Sequence, residues 1–383
     1  MAGFDYSMRL PRFVPSAVRL LLSALLLIGL GSLSAGPAGL GSPATATQPA
    51  TPRDPPRAVH HVVGPKECSE CHERENRVWR QSRHYLGAKF LPRDKNTKQI
   101  AKALGIRRIK SDPRCTMCHY TVRDVPDKRS RAVAGVSCES CHGAASQWLI
   151  PHADYGGPEK EPMTETPEHR RQRLARCDAQ GMNRPDRLYH LAASCYRCHL
   201  IADEQVVNVG GHPVGVEFEL VSWSQGEMRH NFRRNEKVGN AQCSAERKRV
   251  MYVMGQALLL EYSLRALAGA TGPGPYTQAM IAHTDKAIRS LERIVAAAEV
   301  REVKSMLALA RTVDLVPDHS GALIRAADQV GAAARQFEAS HDGTALEVLD
   351  ALLPGPEAYK GTVSSDEIGL EPSGPLAPTP TNR

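Results

Sequence analysis

The sequence predicts a mainly α protein in which a loop-rich, cysteine-rich region is followed by an α-helical bundle or helical-hairpin region. All ten cysteines and most of the histidines lie before residue 244. From residue 245 to residue 353 the chain has no cysteine, and its apolar residues recur at helical spacing. This change in composition divides the chain into two regions of different character.

The first 46 residues are predicted to be a signal peptide. Arg9, Arg12 and Arg19 provide positive charge around an apolar run at 20–30, and Ala44 to Ala46 form an A-x-A cleavage site. This interpretation places the rest of the chain in the periplasm. The alternative is an uncleaved membrane anchor, which would also leave the rest of the chain outside the cytoplasm. Residues 47–59 are predicted to be a proline-rich linker.

The region 60–244 carries four copies of C-x-x-C-H. Two thiols three residues apart lie on one side of a helical turn, and the histidine that follows can reach a metal beside them. This spacing is that of c-type haem attachment, with two thioether bonds and one axial imidazole per haem. Structural zinc and paired disulfides are the alternatives, but neither needs a histidine directly after each second cysteine. The predicted attachment residues are Cys68, Cys71, Cys115, Cys118, Cys138, Cys141, Cys195 and Cys198, and the predicted proximal iron ligands are His72, His119, His142 and His199.

Each of the four predicted haem irons needs a second axial ligand or an open site. We expect ligands at His84, His152 and His190, with His212 and His230 as further candidates. His60, His61 and His169 are expected to be ordinary surface histidines. If a continuous helix runs from Cys68 to Leu86, His84 lies about 18 Å along it from His72. It could then bind only the iron of another motif.

The region 245–353 is predicted to form four or five helices. Apolar residues recur at helical spacing over 250–264, 280–295, 306–313, 323–337 and 346–353, with a break at 272–275. This region is interpreted as structural cover for the haems or as a docking module for a redox partner. Residues 354–383 are rich in proline, serine and glycine and are predicted to be a disordered tail.

The formal net charge of +8 does not indicate nucleic-acid binding. Removal of residues 1–46 leaves about +6, and four haems with eight propionates bring the total to about +2 when oxidised and about −2 when reduced. We found no stretch that combines dense lysine and arginine with the aromatics of a nucleic-acid platform. The expected partners are redox proteins, and a membrane only if the N-terminal segment is an anchor.

Residues 66–200 resemble the tetrahaem cytochrome c-554 family. The resemblance rests on the order of the four motifs, on Trp79, Ser82 and His84 after the first, on the third-motif segment 135–143 and on His190 five residues before the fourth. The family consists of electron carriers that serve hydroxylamine oxidoreductase. The resemblance implies haems stacked in parallel pairs and the axial pairs His72 with His190, His142 with His84, and His199 with His152.

The resemblance also implies that the second haem, on His119, can be five-coordinate. Beyond residue 200 the chain departs from the family, and His212 or His230 could close that site. The leading hypothesis is electron transfer by mostly bis-histidine haems. The alternative is a small-ligand redox enzyme, for example a nitric oxide reductase, with Glu139, Glu227 and Arg229 as possible neighbours of an open iron. Cys177 and Cys243 are left over, either as one disulfide or as two thiols.

Overall fold

The computed structural model describes residues 61–124, 130–215, 217–232 and 239–361. The predicted signal peptide and linker lie outside these residues. The described part is mainly helical, as predicted. Residues on both sides of the predicted boundary at 244 belong to one compact unit.

The first region consists of short helices joined by loops and one β-hairpin. Strands β1 (Thr121–Arg123) and β2 (Arg131–Ala134) are antiparallel, with Thr121 opposite Ala134. The helices are α1 (Pro65–Ser69), α2 (Glu73–Gln81), α3 (Arg83–Phe90), α4 (Lys95–Ala103), α5 (Pro113–His119), α6 (Cys138–His142), α7 (Pro167–Ala179), α8 (Leu188–His199), α9 (Glu204–Asn208) and α10 (Leu220–Ser224).

The continuous helix considered for residues 68–86 is wrong. The chain leaves the helical conformation after α1 and again at Ser82, whose ψ is 157°. The side chain of Ser82 accepts a hydrogen bond from the amide of Tyr85, so Ser82 ends α2 and caps α3. His84 therefore lies in the first turn of a new helix.

The second region contains four α-helices and two 3-10 helices, the shorter of which is Pro317–His319. The others are α11 (Ala245–Ala268), α12 (Pro275–Ala297), α13 (Arg301–Ala310), α14 (Ser320–Ser340) and the 3-10 helix Thr344–Leu352. Helix α11 is buried along almost its whole length, because α8, α12 and α14 all pack against it. Nearly all of the main hydrophobic core lies around this helix.

Helix α8 joins the two regions, because it carries the fourth C-x-x-C-H motif and also contributes to the main core. The Tyr196 hydroxyl donates a 2.7 Å hydrogen bond to the carbonyl of Gly255 on α11. A Cβ at Gly255 would lie 3.0 Å from Leu220 and 3.2 Å from the Tyr196 hydroxyl. The glycine therefore allows α8 and α10 to approach α11 closely.

The beginning of the predicted disordered tail is folded. Residues 354–361 include the 3-10 helix Pro356–Ala358. Lys360 then makes backbone hydrogen bonds to Ser222 and to Glu227, at 3.1 and 2.9 Å. These backbone pairs hold the segment against α10 and the turn after it, although its composition is typical of disorder. Residues 362–383 lie outside the described part.

None of the described helices is long and apolar enough to cross a membrane.

Candidate functional site

Three of the C-x-x-C-H motifs lie at the C-terminal ends of helices. Helices α5, α6 and α8 end at His119, His142 and His199, so that each histidine follows the last helical turn. Each of the first two helices has its own start signal, Asp112 with proline at N1 in α5 and a Ser137–Ser140 capping box in α6. In the first motif Cys68 lies on α1, and His72 lies between α1 and α2.

Two glycines explain why the third motif can fit between its neighbours. A Cβ at Gly135 would lie 2.4 Å from the carbonyl oxygen of His84. Gly143 has φ of +87°, and a Cβ there would lie 2.2 Å from the carbonyl oxygen of Gly181. Both positions therefore require glycine, which accounts for the two glycines that bound the 135–143 segment.

Each motif histidine lies beside a second histidine from a distant part of the chain. The four separations between ring centroids fall within 0.2 Å of one another, although the rings come from different helices and loops. The pairs are His72 with His152 at 6.3 Å, His119 with His212 at 6.3 Å, His142 with His230 at 6.2 Å and His199 with His84 at 6.1 Å.

This separation fits a six-coordinate iron between the two rings. An imidazole nitrogen binds a metal at about 2.0–2.1 Å and lies about 1.1 Å from its own ring centre, so two axial ligands place their centroids roughly 6.3 Å apart. The interplanar angles range from 20° to 80°. Such a range is compatible with axial ligation, since each ring can rotate about the metal–nitrogen bond.

Hydrogen bonds at the other ring nitrogen orient four of these eight imidazoles. The Nδ1 atoms of His142, His152, His212 and His230 lie within hydrogen-bond reach of the carbonyl oxygens of Asn183, Leu149, Pro213 and Met228, respectively. A carbonyl acceptor fixes the tautomer with hydrogen on Nδ1 and leaves Nε2 as the metal-binding atom. This is the arrangement expected of a histidine ligand.

Burial keeps several of these imidazoles neutral, which is the form that binds metal. Desolvation lowers the pKa of His142 to about 4. The pKa of His199 is also lowered to about 4, mainly by burial and then by the neighbouring His84 and His119. Burial likewise lowers the pKa of His84, His119 and His152.

The structure places the second histidines differently from the pairs that the resemblance implies. His152 lies beside His72 rather than His199, and His84 lies beside His199 rather than His142. His190 packs edge-on against Tyr189 at 5.3 Å. The resemblance covers only residues up to about 200, whereas His212 and His230 lie beyond it. His212 lies beside His119 of the second motif, and His230 lies beside His142 of the third.

The helices that carry the motifs pack against one another in pairs, α1 against α6, α6 against α8 and α8 against α5, which orders the motifs in space. The Cys68 and Cys138 thiols share a hydrogen bond, which lowers the pKa of Cys68 and raises that of Cys138. Hydrogen bonding between the Cys118 and Cys198 thiols likewise lowers the pKa of Cys118 and raises that of Cys198. The Ser194 hydroxyl donates a 2.6 Å hydrogen bond to the carbonyl of Leu191, and burial raises the pKa of Cys141 and of Cys195 on either side of it. These contacts place the motifs in the order first, third, fourth, second.

Zinc is the alternative to haem as the group bound by the C-x-x-C-H motifs. A structural zinc site needs four side chains that converge on one point. Within the described ranges no three histidine, cysteine or acidic side chains converge in this way. The histidines are arranged in pairs, which suits an iron whose other four ligands come from a porphyrin.

The two leftover cysteines do not form a disulfide. Both lie within the described residues, and neither is bonded to another cysteine. Cys177 is fully buried in a small cluster with Ala145 and Trp148. Cys243 packs against the main core instead and accepts a 3.4 Å hydrogen bond from Gln225. The two thiols therefore belong to different clusters.

The polar residues proposed as neighbours of an open iron have other contacts. Glu139 is 5% exposed, and its carboxylate accepts hydrogen bonds from the amides of Val63, Gly64 and Ala145. It holds the start of the described chain against the third motif. Glu227 accepts a 3.3 Å hydrogen bond from the amide of Arg83, and burial raises its pKa. Arg229 is buried, and its carbonyl accepts from Asn240.

Two residues at the site had no signal in the sequence. The sulfur of Met228 lies 3.1 Å from Nδ1 of His84, in the place that a carbonyl oxygen takes at four of the other rings. Arg173 donates a 2.7 Å hydrogen bond to the carbonyl of His152 and forms two more with Glu165. Neither contact follows from sequence spacing, because each depends on how distant loops meet.

The Arg173–Glu165 pair predicts a loss of stability in acid. Hydrogen bonding to Arg173 lowers the pKa of Glu165 from 4.5 to about 2. The folded state therefore gains stability that is complete above about pH 4.5 and is lost as the pH falls towards 2. We expect urea midpoints of the unmodified protein to fall more between about pH 5 and pH 3 than those of Glu165→Gln. Equal falls in the two proteins would contradict this role.

Comparison with known proteins finds similarity to c-type cytochromes. Residues 67–143 match the family described as cytochrome c554 and c-prime. The chain is 28% identical to cytochrome c-554 of Nitrosomonas europaea over 148 residues, which is 36% of this chain and 57% of the relative. The chain thus spans a little over half the length of that relative. No solved structure matches the chain. The matches indicate a c-type cytochrome with covalently bound haem iron, and residues 67–143 carry the pattern of the cytochrome c554 and c-prime family.

Proposed function

We propose that this protein is a periplasmic electron-transfer protein that holds four c-type haems, each iron bound by two histidines. The observation that carries the proposal is the set of four histidine pairs, each with one motif histidine and each about 6.2 Å between ring centroids. A bis-histidine iron keeps its ligands in both oxidation states. Little therefore has to rearrange when an electron arrives or leaves.

The thiol contacts support transfer between neighbouring haems. A thioether cysteine lies at the edge of its porphyrin, so thiols in contact bring two porphyrin edges together. The contacts favour a path from the first haem through the third and fourth to the second. Both ends of this path are then available to redox partners. This role needs no nucleic acid, and the proposed partners are redox proteins.

The enzymatic alternative receives no support from the second motif. An open iron at His119 would need a vacant position opposite that ring, and the proximity of the His212 ring, at 6.3 Å between centroids, argues against one. The Nδ1 atom of His212 is 3.0 Å from the carbonyl oxygen of Pro213, a contact that would leave Nε2 as the nitrogen able to bind iron. Two of the residues considered as proton donors, Glu139 and Glu227, accept hydrogen bonds from backbone amides.

The decisive experiment is electron paramagnetic resonance of the oxidised protein isolated with its haem. We expect four haems per chain by pyridine haemochromogen assay, and only low-spin ferric signals. Addition of cyanide or carbon monoxide should leave the optical spectrum unchanged. A high-spin signal from one haem in four would contradict the all-bis-histidine arrangement, and a smaller haem count would contradict the proposal of four haems.

A further inference from the structure

The positive charge of the chain is concentrated in one segment, residues 83–114. This segment contains ten lysines and arginines and two aspartates, so its net charge of +8 equals that of the whole chain. The remaining residues are neutral in sum. Both aspartates cap helices, Asp94 at α4 and Asp112 at α5. The positive charge of these side chains is therefore not neutralised by acidic residues within the segment.

Nine of these ten side chains are exposed. Within the described part of the chain none of the nine forms an ion pair with a carboxylate. Lys95, Lys98 and Lys102 recur along α4 at intervals of three and four residues and so share one face of the helix. The nine residues, here called the basic patch, are Arg83, Lys89, Arg93, Lys95, Lys98, Lys102, Arg107, Arg108 and Lys110.

The basic patch lies on segments next to the second motif. Its last residue, Lys110, lies just before α5, which ends at His119. On the other side, the apolar face of α4 packs against Gly210, because a Cβ there would lie 3.0 Å from Leu104 and 3.2 Å from Ile100. Gly210 precedes His212 by two residues. The segment that carries the patch thus adjoins both segments that carry the rings of this histidine pair.

Exposed apolar side chains lie within the same area. Phe90 is 59% exposed at the end of α3, which packs against α5. Met117 is 65% exposed between the two cysteines of the second motif, and Val209 is 59% exposed near His212. An apolar centre with a charged rim is the usual composition of a transient protein interface. A redox partner needs such a surface beside a haem edge.

We propose that the basic patch is the docking surface for an acidic redox protein, which exchanges electrons with the haem on the second motif. The inference rests on the proposed function. It adds where one redox partner binds and what charge that partner carries. Charge complementarity selects the partner, since a net charge of +8 within 32 residues attracts an acidic surface and repels a basic one. The second motif lies at one end of the haem order, where an electron can leave or arrive.

The test measures the rate at which an acidic plant-type ferredoxin, reduced beforehand, reduces the haem-loaded protein in a stopped-flow instrument. One electron passes from the reduced iron–sulfur cluster to a ferric haem, and no bond forms or breaks. At low ionic strength, the Lys98→Glu/Lys102→Glu variant should react about tenfold more slowly than the unmodified protein. The difference should shrink as salt is added.

The matched control is Arg170→Glu/Arg176→Glu, which changes the net charge equally. Both arginines are exposed on α7, which packs beside His152 and the first motif. This variant should lose less than about twofold in rate, because the steering field is local. An equal loss in both variants, or no loss in either, would overturn the docking surface.

A neutral quinol reductant separates this inference from the proposed function. The quinol should reduce the haems of all three proteins at the same rate. If the quinol reduces all three proteins equally and ferredoxin also reduces both variants at one rate, the proposed docking surface is wrong. The proposed electron-transfer function is then unaffected. If no reductant reduces the haems of the unmodified protein, the proposed function itself is wrong.

Discussion

Replacing His212 with glycine should convert one haem in four from low-spin to high-spin ferric iron. The ring of His212 lies 6.3 Å from that of His119, and its Nδ1 is held by the carbonyl of Pro213. Glycine removes the imidazole and leaves a vacant coordination position at the second haem. That haem should then bind cyanide when oxidised and carbon monoxide when reduced. Electron paramagnetic resonance and optical titration measure both changes, with about a quarter of the haem responding.

The matched control for this variant is His190→Gly. His190 is a ligand candidate from the sequence, but all four motif histidines already have another histidine beside them. We therefore expect only low-spin signals from His190→Gly. A high-spin haem in His190→Gly, together with unchanged spectra in His212→Gly, would show that the observed pairs are not the axial pairs.

A chain that ends at Ser244 should give no folded, haem-loaded cytochrome. Helix α8 carries the fourth motif, and its opposite face is buried against α11 in the main core. Exposure of a large apolar side chain costs about 1.5–3 kcal/mol, and a whole domain is stable by only about 5–15 kcal/mol. The side chains that lose their cover are Leu188, Tyr189, Ala192, Ala193 and Tyr196. Haem content of the purified product measures the effect, and full haem incorporation would instead favour a docking role for residues 245–353.

A point variant tests the same core without removing a region. Leu258 on α11 is fully buried, so Leu258→Ala should cost about 2–5 kcal/mol of unfolding free energy. Val348 is 57% exposed, and Val348→Ala should change stability by less than about 0.5 kcal/mol. Urea denaturation followed by circular dichroism gives both values. A similar small change in both variants would show that α11 does not hold the fold together.

The chemistry of the site could be predicted from local spacing, but its assembly could not. A C-x-x-C-H motif is complete within five residues, so all four could be recognised in the sequence. The partner of each motif histidine lies 80–115 residues away, and only the packing of α3, the loops and α8 decides which two rings meet. His84 is predicted to be a ligand for another motif, and its ring lies beside His199 of the fourth motif rather than beside His142, the partner that the family resemblance implies.

The secondary structure could be predicted where it follows from the apolar pattern of one segment, and not where single hydrogen bonds determine it. The apolar repeat of 250–264 lies within α11, because a helix buried on several sides needs that pattern. Ser82 interrupts an otherwise helical stretch, since its hydroxyl caps α3 instead of continuing α2. The order in residues 354–361 comes from backbone hydrogen bonds to Ser222 and Glu227, which composition does not reveal.

Iron bound between the paired histidines would also restrict the conformational freedom of the unfolded chain. An iron between two rings acts as a cross-link, and each of these cross-links would close a loop of 80–115 residues. In the chain-entropy model a link of this length removes about 4–5 kcal/mol of unfolded-state freedom. The intervals 72–152, 84–199, 119–212 and 142–230 all overlap in the sequence, so that each would be interleaved with the other three. If the proposed haems are bound, four such cross-links would constrain a region that has short helices and only a small apolar core of its own.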